Sequence, residues 1–371
     1  MHHESFAITY TNSWTNAGWG GDWLAVHNNK GKLYITGMKA AYISQGPCIT
    51  HVNFNGHYGI NKEVSFDATV HTARTNDYAR TIQKLHYNFN SNVAFTNTPN
   101  AGCCLFRVGG GAGWEGWVAQ KVSIGNADGL IEEIDVPESL QVNDMFVDRL
   151  SLTGSGPWWI GFPKSGFVKP DEKGIAWKGI IIRNYASNVA GQVTKSPSLS
   201  LFCRQKQPNG QGSYVDALVT PPEGVQELNQ GDTFDLDIEW VTFPYSSDDY
   251  YGENEDFRAH LQKNPASWKT IHREAVGNNL SVDVKGGEVV DNYPLIIRAT
   301  GSPIDLTING GVGAVPIRFE GLKSRDLKLY DASGAPSNEL YDLAYETKTD
   351  TYSLAFNLLL DGKPKSSWTL K

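Results

Sequence analysis

The chain has 371 residues, 40% apolar and only 19% charged, with a net charge of −8 and a pI near 5.6. An acidic chain lacks the cationic surface that a phosphate backbone requires, which excludes general nucleic-acid binding. No run of about 18 apolar residues occurs, so membrane insertion by a helix is excluded as well.

The start, Met1-His2-His3, reads as an added leader and not as a signal peptide. The aromatic-rich, lysine-poor composition suits a secreted or periplasmic bacterial protein whose signal peptide is not in this sequence. Short strands are expected over 5–11, 22–27 and 32–36, separated by Gly and Asn clusters. The stretch His51-Val52-Asn53-Phe54-Asn55-Gly56-His57-Tyr58-Gly59 reads as a polar loop. Loops of this kind carry function disproportionately often.

The clearest hairpin joins 64–74 to 78–89. With a turn centred on Thr75 and Asn76, His71 would face Arg80, Thr69 would face Ile82, Asp67 would face Lys84 and Ser65 would face His86. Val64, Phe66, Ala68 and Val70 then lie against Leu85, Tyr87 and Phe89 on the apolar side. The other side becomes a basic strip with histidines, suited to carboxylates or sulfates of a glycan. Its plain alternative is a solvated sheet face.

Strands follow over 117–124, 175–185, 199–205 and 214–220. The most regular runs over 233–243, where Phe234, Leu236, Ile238 and Trp240 alternate with Asp235, Asp237 and Glu239. The acids resemble a glycosidase cluster, but alternate residues on one strand face do not establish a catalytic pair. Asn254-Glu255-Asp256 offers a helix cap and acidic first turn, with Phe257 and Leu261 four apart and a stop before Pro265. A second short segment covers 268–276 and carries His272. Beyond Gly277, short strands recur at regular spacing, with turns at Lys285-Gly286-Gly287, Asn309-Gly310-Gly311 and Asp361-Gly362. This predicts a small antiparallel sandwich over 278–371 after a large two-sheet sandwich over 1–277. The expected fold class is therefore all-β, super-sandwich or jelly-roll like.

Four cysteines, Cys48, Cys103, Cys104 and Cys203, allow one disulfide, for example from Cys48 to one of the adjacent pair, or buried free thiols. Gly111-Ala112-Gly113-Trp114-Glu115-Gly116 matches GxGxxG, but no helix follows it. Trp114, Trp158 and Trp159 sit among glycines and could serve as platforms for sugar rings, or simply as anchors. The acidic run Asp248–Asp256 could hold Ca²⁺ through oxygen ligands, or favour a helix N-terminus through the dipole. No other cofactor and no metal site is expected.

In strand number, size and domain order the chain resembles the super-sandwich of the galactose-mutarotase-like superfamily, as found in polysaccharide lyases and several glycoside hydrolases. The helical toroid that precedes it in many such lyases is absent from this sequence. The resemblance implies a carbohydrate-active enzyme working on a poly- or oligosaccharide. The basic strip narrows this to an anionic glycan cleaved by β-elimination or hydrolysis. His57, Tyr58, His71 and His86 would be the acid–base candidates. His51, Arg74, Arg80, Lys84, Trp114, Trp158 and Trp159 would bind substrate. The competing readings are a non-catalytic carbohydrate-binding or adhesion module and a structural subunit of a β-sandwich assembly.

Overall fold

A computed structural model describes residues 2–7, 15–28, 31–75, 77–96, 102–109, 117–163, 165–167, 176–206, 210–360 and 366–371. Strands dominate, in the sandwich arrangement that the alternation predicts. Two sheets, of ten and eight strands, share one core. Phe66, Leu85, Leu236 and Ile238 come from the larger sheet, and Phe106, Leu199, Leu201 and Val215 from the smaller. The apolar face expected for the strand Thr233–Pro244 is the face that fills this core.

The central ladder positions everything that follows. Across the ten-stranded sheet, Ile35–Gln45 pairs with Ile49–Tyr58, then Val64–Ala73, Ala79–Phe89, Thr233–Pro244 and Ala176–Val189. All these pairings are antiparallel. The stretch read as a loop around His51–Gly59 is thus a strand. Gly56 does not break it; a Cβ there would come within 3.0 Å of Met38 Cα and the Phe66 ring, so glycine serves close strand approach.

The hairpin faces are as expected, but the register differs by two residues. His71 lies opposite Ile82, Thr69 opposite Lys84, Asp67 opposite His86, and the last pair is Ala73 with Arg80. The physical reason lies in the connecting residues, which are not a tight turn. Asp77 and Tyr78 fold inward and are buried, and Asp77 accepts hydrogen bonds from Tyr78 N and Ala314 N. Asn76 lies outside the described residues.

Two helices pack on the same outer sheet face. Asn254 Oδ1 accepts from Phe257 N to cap Glu255–Lys263, and Ser267 caps Trp268–Gly277. Their apolar side chains cover Trp177, Ile181, Val241 and Phe243. The chain then enters a four-stranded and a five-stranded sheet spanning Ser281 to Leu370. These enclose their own core of Leu295, Ile297, Ile317, Phe319, Leu354 and Phe356, which Ile82 joins from the large sandwich. All four cysteines are buried free thiols, so the disulfide alternative does not hold. Cys103 packs into the main core and Cys104 into a separate cluster, as adjacent strand residues must.

Candidate functional site

The outer face of the ten-stranded sheet can be followed row by row. Ile49, Ala73, Arg80 and Val241 form the first row, and His51, His71, Ile82 and Glu239 the second. Asn53, Thr69, Lys84 and Asp237 follow, then Asn55, Asp67, His86 and Asp235. The small sandwich covers the first two rows. His71 is 2% exposed and Arg80 3%. The expected solvated strip is therefore largely an internal interface, and the difference arises because a second domain folds back on the basic rows.

That interface is a buried ionic network. Arg80 pairs with Asp77 at 2.5 Å and donates to Ala314 O and Tyr293 Oη, each at 2.8 Å. Tyr293 Oη in turn donates to Glu239 Oε1 at 3.1 Å. Arg183 donates to Glu239 Oε2 from Nε at 2.8 Å, with its guanidinium 3.9 Å from the Tyr293 ring centre. Burial pushes the Asp77 carboxyl up, but Arg80 and the Ala314 N–H outweigh it and hold the pKa below the usual range. Burial pushes the Tyr293 hydroxyl up, which keeps it a donor.

At the third row the cover ends and a cleft of 540 Å³ opens between the two sandwiches. Lys84 stands in it. Its ammonium is 3.5 Å from Asp237 Oδ2 and pairs closely with Asp291 of the small sandwich. Both carboxylates contact the same ammonium, which places two acids side by side at the mouth of the cleft. Burial raises the Asp237 pKa and Lys84 opposes the shift. Asn184, Asn278, Asn279 and Asn292 supply amides, and Pro157, Leu280, Val289 and Val290 supply apolar wall. Amides and carboxylates over an apolar surface are the groups that bind vicinal hydroxyls while seating a C–H face.

The sequence-selected residues are only partly gathered here. Lys84 lies in the cleft. His86 sits one row beyond it, its Nδ1 2.7 Å from Asp235 Oδ1. His57 lies a further row out, opposite Ser65, while Tyr58 points into the core against Phe66. The His51 and His71 rings lie 4.2 Å apart, tilted by 35°, beneath the small sandwich. Arg74 is exposed in the hairpin connection, with its carbonyl held by Asn357. These groups do not converge on one reacting centre. Trp158 belongs to the main core, and Trp159 is fully buried and stacked on Trp268 at 5.8 Å, so both are anchors and not platforms. Their burial follows from the small residues around them: a Cβ on Gly125 would fall 1.9 Å from the Trp159 ring. Trp114 lies outside the described residues.

In the acidic run, Arg258 donates to the carbonyls of Tyr250 and Gly252, so a side chain already supplies positive charge there. Among the described residues no group of three or more His, Cys, Asp or Glu is placed to hold a metal ion. None of these residues makes a helix long and apolar enough to cross a membrane.

Sequence reasoning missed Asp291, Tyr293, Arg183 and the four asparagines. Arg183 had a signal. It interrupts the run Ile180-Ile181-Ile182, at the place where a bulge shifts the pairing with Thr233–Pro244.

No family model matches the sequence, and no curated protein matches it. Among solved structures the chain is similar to the galactosidase domain of alpha-galactosidase-sucrose kinase, AgaSK, at 12% identity and a TM-score of 0.30. The match covers 60% of this chain and 29% of that one, so this chain spans well under two thirds of its length. A likeness at that identity and score bears on neither activity nor substrate.

Proposed function

We propose that this protein recognises a carbohydrate in the cleft between its two sandwiches. The supporting observation is the ion triad in which Lys84 joins Asp237 of the large sandwich to Asp291 of the small one, beside four asparagines. Of the cations expected to bind uronate or sulfate, Arg80 is paired with Asp77 and Lys84 with two carboxylates, while Arg74 does not line the cleft; the cleft's other cation, Arg183, is paired with Glu239. A neutral sugar therefore suits the cleft better than an anionic one, because each charged group can hydrogen-bond a hydroxyl without losing its partner.

Glycosidic hydrolysis is the second reading, favoured by two carboxylates, Asp237 and Asp291, that meet at Lys84 in the cleft. In it, Asp237, whose pKa burial raises, protonates the leaving oxygen as the glycosidic bond breaks, and Asp291 takes a proton from the water that bonds to the anomeric carbon. Lys84 must then release one carboxylate as the sugar enters. Titration calorimetry against neutral oligosaccharides, with product analysis on the same samples, tests both readings. Binding that Asp291→Asn weakens at least tenfold supports recognition, and product formation that the same variant abolishes adds hydrolysis. Affinity unchanged in Asp291→Asn and in Lys84→Met contradicts both.

A further inference from the structure

A second groove lies on the rim of the large sandwich, beyond the Val64–Phe89 end of the hairpin and away from the end that the small sandwich covers. Its volume is 820 Å³, and it shares no lining residue with the interdomain cleft. Three chain segments meet there: 31–36, 59–63 and 92–96.

The floor is apolar and anchored. Leu33 packs against the main core and Phe95 belongs to it. Above them Tyr34 is 71% exposed and Ile60 89% exposed, a large aromatic and a large aliphatic side chain left to solvent on one groove. The polar rim is held in place. Glu63 accepts hydrogen bonds from Asn61 N at 3.0 Å and Asn61 Nδ2 at 3.2 Å. Gly59 has φ +82°, a left-handed conformation that favours glycine, and it brings the backbone close beside the Glu63 carboxylate. Thr36 Oγ1 donates to Gly59 O at 3.1 Å and ties the edge strand to the turn. Asn92 is fixed by accepting from Gln230 N at 3.1 Å.

The charged groups of the lining are Lys32 and Glu63, which cancel. A groove with no net charge, an exposed aromatic face and a fixed rim of amide and carboxylate matches a pyranose ring. The C–H face rests on the tyrosine and the hydroxyls meet the rim. We infer that this groove binds an uncharged oligosaccharide with one ring stacked on Tyr34, as a site separate from the cleft. A volume of 820 Å³ lies within the usual range of ligand pockets, about 300–1,000 Å³.

Saturation-transfer difference NMR on the whole protein, with cello-, manno- and galacto-oligosaccharides as probes, separates the two sites. In Asp291→Asn, transfer to the ring protons of at least one probe persists. Adding Tyr34→Ala to that variant reduces it at least tenfold. Because Tyr34 is exposed, circular dichroism of the variant should match the wild type. Loss of all transfer in Asp291→Asn alone overturns the groove and leaves the cleft. Transfer unchanged by Asp291→Asn but abolished by Tyr34→Ala upholds the groove and overturns the cleft. No transfer from any probe to the wild type overturns both.

Discussion

Arg318 of the small sandwich donates to His51 Nδ1 of the large one at 2.5 Å. That bond requires an imidazole nitrogen without a proton. The other ring nitrogen, Nε2, lies 3.0 Å from Asn53 Oδ1 and carries the hydrogen. Burial and then the Arg318 charge push the His51 pKa down to about 4. Its ring neighbour His71 is pushed down too, by burial and by His51, Lys84 and Arg318. The domain contact is thus built for neutral histidines.

Acid should therefore weaken this contact. An unfolded histidine takes up its proton near pH 6.5, whereas folded His51 does so near 4. Between those values the unfolded chain binds more protons, so stability falls as pH is lowered, by up to about 3 kcal/mol for His51. Glu274 works the other way. Burial raises its pKa to about 7, so the folded state gains a proton first as pH falls from there. Comparing wild type with His51→Gln cancels Glu274, because glutamine keeps an acceptor for Arg318 and does not titrate. The urea midpoint at pH 5.0 minus that at pH 7.5 should be more positive in the variant than in the wild type. Parallel profiles would contradict the assignment.

Removing the acid partner of Arg80 should be costly. Asp77→Ala removes the nearer carboxylate from a fully buried guanidinium, leaving only Glu239 at 4.0 Å, which Arg183 also engages, and the expected loss is about 3 kcal/mol. Thermal denaturation measures it. A loss below about 1 kcal/mol would mean that the pair does not hold the interface.

Tyr293→Phe is a finer probe. It keeps the ring under Arg183 but deletes the hydroxyl that bridges Arg80 and Glu239. Leaving those buried groups short of a partner costs about 1–3 kcal/mol. Denaturant unfolding should show this loss with an unchanged m-value, because the domains still close.

The helix on the outer sheet face depends on its cap. Asn254→Ala removes the acceptor for Phe257 N and should cost about 1 kcal/mol. Chemical denaturation can resolve it, and a variant as stable as wild type would exclude the cap as a contributor.

The faces of Val64–Ala73, Ala79–Phe89 and Thr233–Pro244 were legible because period-two alternation reports which side is apolar. So was the Asn254 cap, a local signal. What alternation does not report is what lies over a polar face. Arg80 and His71 carry the residue types of a solvated strip, and only the return of the small sandwich, more than 200 residues later, buries them. The register escaped for a related reason: Asp77 reads as the close of a tight turn and Tyr78 as the start of a strand, but their partners Ala314 and Glu239 are remote in sequence. Asp291 reads as an ordinary turn acid until Lys84 is placed beside it.

Hydrogen–deuterium exchange with and without a saturating neutral oligosaccharide tests the cleft most directly. Ligand should slow exchange in the strand Gly287–Asn292 and in residues 278–280, the small-sandwich wall that carries Asp291 and the asparagines. Asp291→Asn should abolish that protection. Protection confined to residues 31–36 and 59–63, or found in neither region, would contradict recognition at the Lys84–Asp237–Asp291 cleft.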